Sequence, residues 1–456
     1  MLAAADPLIP PMPVPRKRVS TALLALWQAR GDILPAFSEE AYERQVIALR
    51  LPAHRMLIAN HPEVVRHVFI ARQDNYQRKS WFMEQALAPV VGDSLFINHG
   101  EVWAERRAVV APPLHPARIG GFHPLFVQAA EELAEDLAHA APGRVDLAAA
   151  FAAATARVMM LALFGAPAPR EDAAALATAF TAYQAAAESV DLRYMLGLPN
   201  WLRGGQSRTA RNRAGALRAL IARNLAAVAE APPLLAALRD AQRAEGGAVL
   251  QGEALVNEVA MMLLAGSETA ANAMTWATYL LAADPTSAAA LEAELATLPP
   301  GRAPDADQAS GLAFTRAVLQ EAMRLYPPVA ILSRQARAAD QIRRWTIRPG
   351  DTVMAIPWLL HRHTALWDRP HAFIPARFLP EAARRQPKFT YIPFGLGPRV
   401  CAGAAFGMAE MTVFLAVLMR RFRFRVPQGW APVPHCRLTL RPRDGMPLEV
   451  ECRGPA

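Results

Sequence analysis

The stretch Phe394-Gly-Leu-Gly-Pro-Arg-Val-Cys401-Ala-Gly403, with a long apolar segment from Ala404 to Phe422 directly behind it, decides the fold of this chain. Gly395 and Gly397 allow tight turns and a close approach to a flat partner, and Pro398 stiffens the loop. The cysteine lies at a loop-to-helix junction, where the positive end of the helix dipole favours an anion and lowers a thiol pKa. A lone cysteine beside glycines is more often a small buried hydrophobe than a metal ligand, so the neighbouring residues decide.

Two neighbours of the cysteine support ligation of a metal by the thiolate. Phe394 is expected to shield the sulfur from water, and Arg399 offers a cation to a carboxylate of the bound group. The whole string resembles the haem-binding loop of the cytochrome P450 superfamily, Phe-x-x-Gly-x-Arg-x-Cys-x-Gly, at all five fixed positions. The resemblance implies haem b (iron protoporphyrin IX) as the cofactor and Cys401 as the axial iron ligand. It also makes Phe394, Gly395, Arg399 and Gly403 cofactor-binding residues.

Length and composition agree with one large domain. The chain has 456 residues, 53% of them hydrophobic, and neither a repeat nor a low-complexity linker divides it. Alanine-rich segments indicate mainly helical structure. The resemblance implies a mainly α (α+β) cytochrome P450 fold with a large helical body, a small β-rich part, and haem between an oxygen-binding helix and the cysteine-loop helix. We expect a single catalytic domain over residues 1–456, in which residues 1–18 form a proline-rich, basic N-terminal segment.

Charge and cysteine content narrow the partners and the compartment. The formal net charge is +9, but the basic residues are spread along the chain, so no nucleic-acid partner is expected. Cys401, Cys436 and Cys452 show no CxxC spacing, which argues against a zinc site or a disulfide framework and fits a reducing cytoplasm. The first apolar run, Val19–Trp27, is too short to span a bilayer. A cytoplasmic, bacterial-type enzyme without a transmembrane anchor is therefore expected.

Local patterns predict the elements around the cysteine loop. Tyr42–Phe69 reads as two strands and a helix, and Asp74–Asn98 as a loop-rich region. Helices are predicted over Leu125–Phe164 and Arg170–Leu198. Trp345–Ile356, with Pro-Gly in its middle, predicts a β-hairpin.

A second motif lies in a predicted buried helix, Asn257–Leu281, which is apolar nearly all round. In its middle stands Ala265-Gly-Ser-Glu-Thr269, where a buried carboxylate is costly unless it has a task or a partner such as an arginine. The string is similar to the family's oxygen-binding motif, Ala/Gly-Gly-x-Asp/Glu-Thr. The resemblance assigns Thr269 to hydrogen bonding with oxygen, Glu268 to the proton supply, and Gly266 to making room for oxygen and substrate.

Further residues match positions that bind the haem propionates. Trp103 and Arg107 lie four residues apart on one face of a predicted helix, so both can reach one carboxylate. They resemble the family's Trp-x-x-x-Arg pair, and Arg334 matches another propionate-binding position.

Other charged residues are expected to be structural. Glu321, Arg324 and Arg377 resemble the family's structural triad, which supports the fold and the haem loop. His361 and His363 alternate in a loop without a third ligand nearby, so a metal site is not expected there.

An apolar substrate pocket is expected from the residues that fall at substrate-contacting positions of the family. Tyr194 and Met195 fall in its mobile lid region. The lining fits fatty acids, terpenoids and aromatics equally well. The expected lining residues are Trp81, Phe82, Ala265, Ala330, Ile331 and Leu332.

The resemblance implies a haem-thiolate monooxygenase that inserts one oxygen atom from O2 into a lipophilic small molecule, by hydroxylation or epoxidation. Electrons are expected from a ferredoxin or flavodoxin with its NAD(P)H-dependent reductase, because the sequence holds no second cysteine cluster. The alternatives are a peroxide-dependent peroxygenase, another haem-thiolate enzyme such as an isomerase, dehydratase or nitric-oxide reductase, and a non-catalytic haem-binding or sensing protein. Glu268 and Thr269 argue against the peroxygenase, and both would be unexplained in a sensor.

Overall fold

The structure, a computed structural model, describes residues 6–17, 31–51, 54–166, 168–187, 206–243, 250 and 252–454. Its helices are α1 (Pro62–Arg66), α2 (Trp81–Val91), α3 (Gly100–Val110), α4 (His123–Ala140), α5 (Leu147–Phe164), α6 (Arg170–Ala186), α7 (Arg208–Ala226), α8 (Pro233–Arg243), α9 (Glu253–Ala283), α10 (Pro285–Leu295), α11 (Ala306–Gly311), α12 (Ala313–Leu325), α13 (Pro357–Leu360), α14 (Pro380–Arg385) and α15 (Ala404–Arg421). Its strands are β1 (Val46–Arg50), β2 (Arg55–Ala59), β3 (Gly143–Asp146), β4 (Leu332–Gln335), β5 (Asp340–Ile342), β6 (Trp345–Ile347), β7 (Thr352–Ala355), β8 (Phe422–Arg425), β9 (Pro434–Cys436), β10 (Leu440–Pro442) and β11 (Pro447–Cys452).

Helix α9 forms the centre of the helical body. It packs against α5, α12 and α15. The predicted helix over Asn257–Leu281 is confirmed, and its side chains are buried nearly all round, as its apolar sequence requires. Only Ala265, Gly266 and Thr269 in this range are not classed as buried. The buried helix therefore has one locally open face, in the middle of the second motif.

The β-rich part consists of small sheets at the edge of this body. The largest has the order β1-β2-β7-β4, in which β1 and β2 are antiparallel with Val46 opposite Ala59, and β2 and β7 are parallel. This confirms the two strands and the helix predicted within Tyr42–Phe69. A second sheet has the order β3-β11-β8, and β9 and β10 form a hairpin.

The hairpin predicted over Trp345–Ile356 is wrong. Strand β6 pairs with β5, whereas β7 pairs with β2 and β4 in another sheet. Gly350, with φ of +87°, lies between them, and its N–H donates to the carbonyl of Ala336. The turn itself forms, because the N–H of Asp351 donates to the Arg348 carbonyl at 3.0 Å. It carries the chain from one sheet to the next because the strands on its two sides pair with other strands.

The helical prediction over Leu125–Phe164 misses a strand. Strand β3 separates α4 from α5 and pairs antiparallel with β11, which lies about 300 residues later in the chain. Conversely, the region expected to be loop-rich contains α2. Of the helix predicted over Arg170–Leu198, α6 ends at Ala186, and Tyr194 and Met195 lie outside the described residues.

One described helix, α5, is long and apolar enough to cross a bilayer, with a mean hydropathy of 1.9. However, 72% of this helix is buried inside the fold, where it packs against α9. Such burial is typical of a core helix.

Candidate active site

The cysteine loop is a series of tight turns held by backbone hydrogen bonds. Gly395 and Gly397 have φ values of +76° and +70°, a region that glycine adopts readily and other residues rarely do. A Cβ on Gly397 would collide with the carbonyl oxygen of Phe69. The N–H of Cys401 donates to the Phe394 carbonyl at 2.8 Å. The loop therefore presents the cysteine in one backbone conformation, ahead of α15.

The thiol of Cys401 is exposed, but in a recess surrounded by protein atoms. This burial raises the pKa of the Cys401 thiol, and a hydrogen bond from Gly403 and the charges of Arg107 and Lys79 only partly offset it. The expectation that the helix dipole lowers this pKa is therefore wrong in direction, because desolvation outweighs the favourable contributions. A thiolate here depends on a bound cation, such as a metal ion.

Arg399 and α3 form one side of the site. The guanidinium of Arg399 lies over the Trp103 ring, 4.6 Å from its centroid, and donates to the Asn98 carbonyl at 2.6 Å. Burial, with the nearby charges of Arg334 and Arg107, lowers the pKa of Arg399 to about 9. Burial also lowers the pKa of Arg107. Arg399 thus lies near both Trp103 and Arg107, although the spacing argument had concerned only the latter two residues.

Arg334 and Lys79 bring further positive charge to the same place. Arg334 is buried on β4 and donates a hydrogen bond to the carbonyl of the preceding residue, Ser333, at 2.8 Å. Its guanidinium carbon lies 4.9 Å from the centroid of the Phe69 ring. Lys79 lies over the ring of Phe96, and burial together with Arg334 and Arg399 lowers the pKa of its ammonium group well below its usual value. Sequence reasoning missed Lys79, because a single lysine in a loop has no local signature.

The four cations Lys79, Arg107, Arg334 and Arg399 share one feature. Among the described residues, none of Lys79, Arg107, Arg334 and Arg399 forms an ion pair with a carboxylate, although the chain forms many elsewhere. Like charges that are buried or partly buried are costly unless an anion offsets them. The site therefore fits a bound group that offers carboxylates to these cations and a metal to the thiol, as haem does.

The open face of α9 lies in the same region of the fold. Ala265 is exposed and Thr269 is partly exposed, one turn apart, and α9 contacts α15, the helix that follows the cysteine loop. The Thr269 hydroxyl donates to the Ala265 carbonyl at 2.8 Å. A small residue and a hydroxyl thus border open space on an otherwise buried helix.

Gly266 differs from its expected role. A Cβ built on Gly266 would collide with the side chain of Met159 on α5. The missing side chain therefore faces the contact between α9 and α5 and allows these two helices to approach closely. Ala265, one residue earlier, is the exposed small residue of this helix segment.

Glu268 is buried but has no arginine partner among the described residues. Its Oε1 accepts hydrogen bonds from Asn272 Nδ2 at 3.1 Å and from the hydroxyl of Thr439 at 3.0 Å. Asn272 lies one turn further along α9, whereas Thr439 comes from the connection between β9 and β10. Both donors are neutral, and sequence reasoning missed them.

A buried ion-pair cluster is linked by hydrogen bonds to the residues that precede the cysteine loop. Glu321 and Arg324 are fully buried, with Arg324 Nε 2.6 Å from Glu321 Oε2, and Arg377 Nε lies 3.4 Å from Glu321 Oε1. Arg324 also donates to the His361 carbonyl, and His361 Nε2 accepts the N–H of Ile392. A chain of hydrogen bonds thus runs from the cluster to the residues just before the cysteine loop. His363 accepts the N–H of Ala365 in its own turn.

The expected pocket residues do not all share one surface. Trp81 and Phe82, partly buried, begin α2, and Ile331 packs against the main hydrophobic cluster with Phe82. Ala330 is buried. Leu332 packs against a separate cluster beside the β1-β2-β7-β4 sheet. Side chains alternate along β4, so Leu332 shares a strand face with Arg334.

Comparison with known proteins agrees with this geometry. The family model described as Cytochrome P450 matches residues 12–446. Cyclooctatin synthase from Streptomyces melanosporofaciens is 32% identical over 88% of this chain and 86% of its own length. Cyclooctat-9-en-7-ol 5-monooxygenase from the same organism is 26% identical over 89% of this chain and 87% of its own length. The crystal structure of the cytochrome P450DA heme domain superposes with a TM-score of 0.79, at 21% identity, over 98% of this chain and 99% of that one.

Proposed function

This chain belongs to the cytochrome P450 family and is a monooxygenase of that family; we propose that it inserts one oxygen atom from O2 into a terpenoid. The observation that carries the proposal is the set of four cations beside the recessed Cys401 thiol, which have no carboxylate partner in the part of the chain that the structure describes. We propose haem b as the form of the haem cofactor. When bound, the haem supplies oxygen activation, which electron donation from its thiolate ligand favours.

The residues of the cysteine loop are proposed to hold the cofactor. Cys401 supplies the thiolate, and Phe394, Gly395 and Gly403 shape the loop that carries it. Hydrogen bonds to the loop backbone keep the sulfur in place.

The cations are proposed to bind the propionates of the cofactor. Arg107, Arg334 and Arg399 present guanidinium groups, which match carboxylates geometrically, and Trp103 supports Arg399 by stacking. Lys79 adds an ammonium group beside them. Binding of carboxylates relieves the repulsion among these buried charges.

Thr269 and Glu268 are proposed to serve the proton supply. The Thr269 hydroxyl lies at the open face of α9, where it can change its hydrogen-bond acceptor from the Ala265 carbonyl to a bound molecule. Glu268, the next residue on the helix, is held by neutral donors and can exchange a proton.

The proposed substrate class rests on the relatives and on the lining. The relatives named cyclooctatin synthase and cyclooctat-9-en-7-ol 5-monooxygenase indicate terpenoids among the classes that an apolar pocket allows. Trp81, Phe82, Ile331 and Ala265 are apolar side chains that are partly or fully exposed, which suits a rigid hydrocarbon skeleton.

Electrons are proposed to come from a separate ferredoxin or flavodoxin with its NAD(P)H-dependent reductase. The net charge of +9 complements an acidic carrier. The three cysteines are free, which suits a reducing cytoplasm. A single catalytic domain over residues 1–456 remains our proposal for the domain organisation.

The proposed function is tested by titrating the purified protein with cyclic terpenoids, fatty acids and aromatics while the visible spectrum is recorded. We expect a thiolate-haem spectrum that terpenoids convert from low spin to high spin. Ala265→Phe should fill the open face and abolish this conversion without loss of haem. Ala290→Phe, at an exposed alanine on α10, is the matched control. Conversion by fatty acids alone would overturn the substrate class, and a protein unable to bind haem would overturn the function.

A further inference from the structure

The connection between β9 and β10 brings a hydroxyl to the buried acid of α9. Thr439 lies in this connection, 171 residues from Glu268 in the chain, and its Oγ1 donates to Glu268 Oε1 at 3.0 Å. Thr439 Oγ1 also accepts a hydrogen bond from Gln184 Nε2, at 3.5 Å. Gln184 is buried near the end of α6. The acid is thus connected through one hydroxyl to a buried amide on another helix.

This hydroxyl is held firmly in place. Arg437, two residues before Thr439, donates to the carbonyls of Gly31 at 3.1 Å and Ala185 at 2.9 Å. At the end of β9, the N–H of Cys436 donates to Asp32 Oδ1 at 3.0 Å.

On the other side of the connection, the N–H of Leu440 donates to the Pro328 carbonyl at 2.9 Å. Three separate parts of the fold therefore fix the connection that carries Thr439. A hydroxyl held in this way orients its acceptor without needing to be ordered when that acceptor acts.

The position of the acid on α9 explains what the hydroxyl can do. Glu268 and Asn272 form one row of this helix, and Ala265 and Thr269 form the neighbouring open row. Both donors bond to the same oxygen, Oε1, and so hold the carboxylate along its own row, beside the open face. Neutral donors hold a carboxylate less strongly than a guanidinium does. The carboxylate is therefore positioned but not locked in an ion pair.

We propose that Thr439 is a positioning residue for Glu268, and that its hydroxyl keeps the carboxylate beside the open face of α9, where the proton supply of the monooxygenase needs it. The groups that face this carboxylate are Asn272 from its own helix, Thr439 from the β9–β10 connection and, behind Thr439, Gln184 from α6. The functional half of this proposal rests on the proposed function, whereas the structural half does not.

The test compares Thr439→Val, which keeps the shape but removes the hydroxyl, with Thr439→Ser, which restores it. The first readout needs no turnover. The antisymmetric carboxylate stretch of Glu268 is isolated as the infrared difference between the holoenzyme and its Glu268→Gln variant, in each background. We expect this band to shift in Thr439→Val and to return in Thr439→Ser. Thr275→Val, which removes a buried α9 hydroxyl bonded only to its own helix, should leave the band unchanged.

The second readout is coupling, measured as product formed per NAD(P)H consumed, together with the solvent isotope effect on turnover. In Thr439→Val we expect coupling to fall about tenfold, the factor that one hydrogen bond to a charged group represents, and the isotope effect to rise. The spin-state change on substrate binding should stay unchanged. Thr439→Ser should recover most of the coupling.

An unchanged infrared band in Thr439→Val overturns the positioning role, and a shifted band with unchanged coupling overturns its functional importance. If Thr439→Val fails to fold, Thr439→Ala removes the same hydroxyl with a smaller side chain and is expected to shift the same band; no shift there overturns the proposal. A protein that folds and shows the band shift but has no monooxygenase activity would refute the proposed function alone.

Discussion

Replacing Arg334 by methionine separates a cofactor-binding role for this residue from a purely structural one. Arg334 is 7% exposed, and burial lowers its pKa from its usual value to about 10, which corresponds to about 3 kcal/mol against the charged form. The hydrogen bond to the Ser333 carbonyl and the stacking on the Phe69 ring each offset about 1 kcal/mol of this burial cost. The unpaired charge thus costs the haem-free fold about 1 kcal/mol, and Arg334→Met should stabilise that form by this amount.

A bound propionate reverses the sign of this effect. Removing one partner of a buried charge pair costs about 2–5 kcal/mol, so Arg334→Met should release haem at least about 30-fold faster than the wild type. The release rate is measured by transfer of haem to excess apomyoglobin, followed by absorbance. Urea unfolding of the haem-free and haem-bound forms gives the two stabilities.

Arg362→Met is the matched control. Arg362 is 1% exposed, and burial lowers its pKa to about 10. Its guanidinium carbon lies 3.7 Å from the centroid of the Trp358 ring. Its Nε and Nη1 have no hydrogen-bond partner among the described residues. It shares the burial of Arg334 but has no place in the cation cluster, so its replacement should leave the haem release rate unchanged. Equal release rates in the two variants would refute the reasoning.

Three further predictions concern the cysteine and two buried carboxylates. Cys401→Ser should abolish the thiolate signature in the spectrum of the reduced carbon monoxide complex, whereas Cys452→Ser, at another exposed cysteine, should keep it; retention in Cys401→Ser would contradict ligation. Burial raises the pKa of Glu258 to about 7. A raised folded-state pKa stabilises the fold at low pH, and this contribution is lost as the pH rises through 7. The free energy of unfolding of the wild type should therefore fall by about 2 kcal/mol relative to that of Glu258→Gln between about pH 5.5 and 8.5. If the two free energies measured by urea unfolding changed in parallel with pH, this prediction would be contradicted. Glu321→Gln leaves the fully buried Arg324 without its anion and should cost about 3–5 kcal/mol in thermal or urea unfolding; a loss below about 1 kcal/mol would contradict the buried pairing.

Local chemistry was sufficient to predict the cysteine loop and the central helix from the sequence. The glycines at positions 395 and 397 take up the left-handed conformations that only glycine adopts at little cost. The apolar run over Asn257–Leu281 has to be buried wherever it lies in the fold. Trp103 and Arg107 both lie on α3, where a spacing of four residues places them on one face. In each case the relevant interaction spans only a few residues, which a sequence pattern records directly.

Side-chain partners from distant segments were decided by the tertiary structure alone. Glu268 is bonded to Thr439, 171 residues away, whereas the only partner that the sequence suggested was an arginine. Gly266 faces Met159 instead of the open face. The turn at Gly350 connects two sheets because the strands before and after it pair with partners from other parts of the chain. The sequence by itself determined the cysteine loop, the buried helix and the family they indicate. Only packing decided which neutral hydroxyl reaches the acid and which cations converge without a carboxylate partner among the described residues, because these contacts depend on the summed burial of elements that lie far apart in the chain.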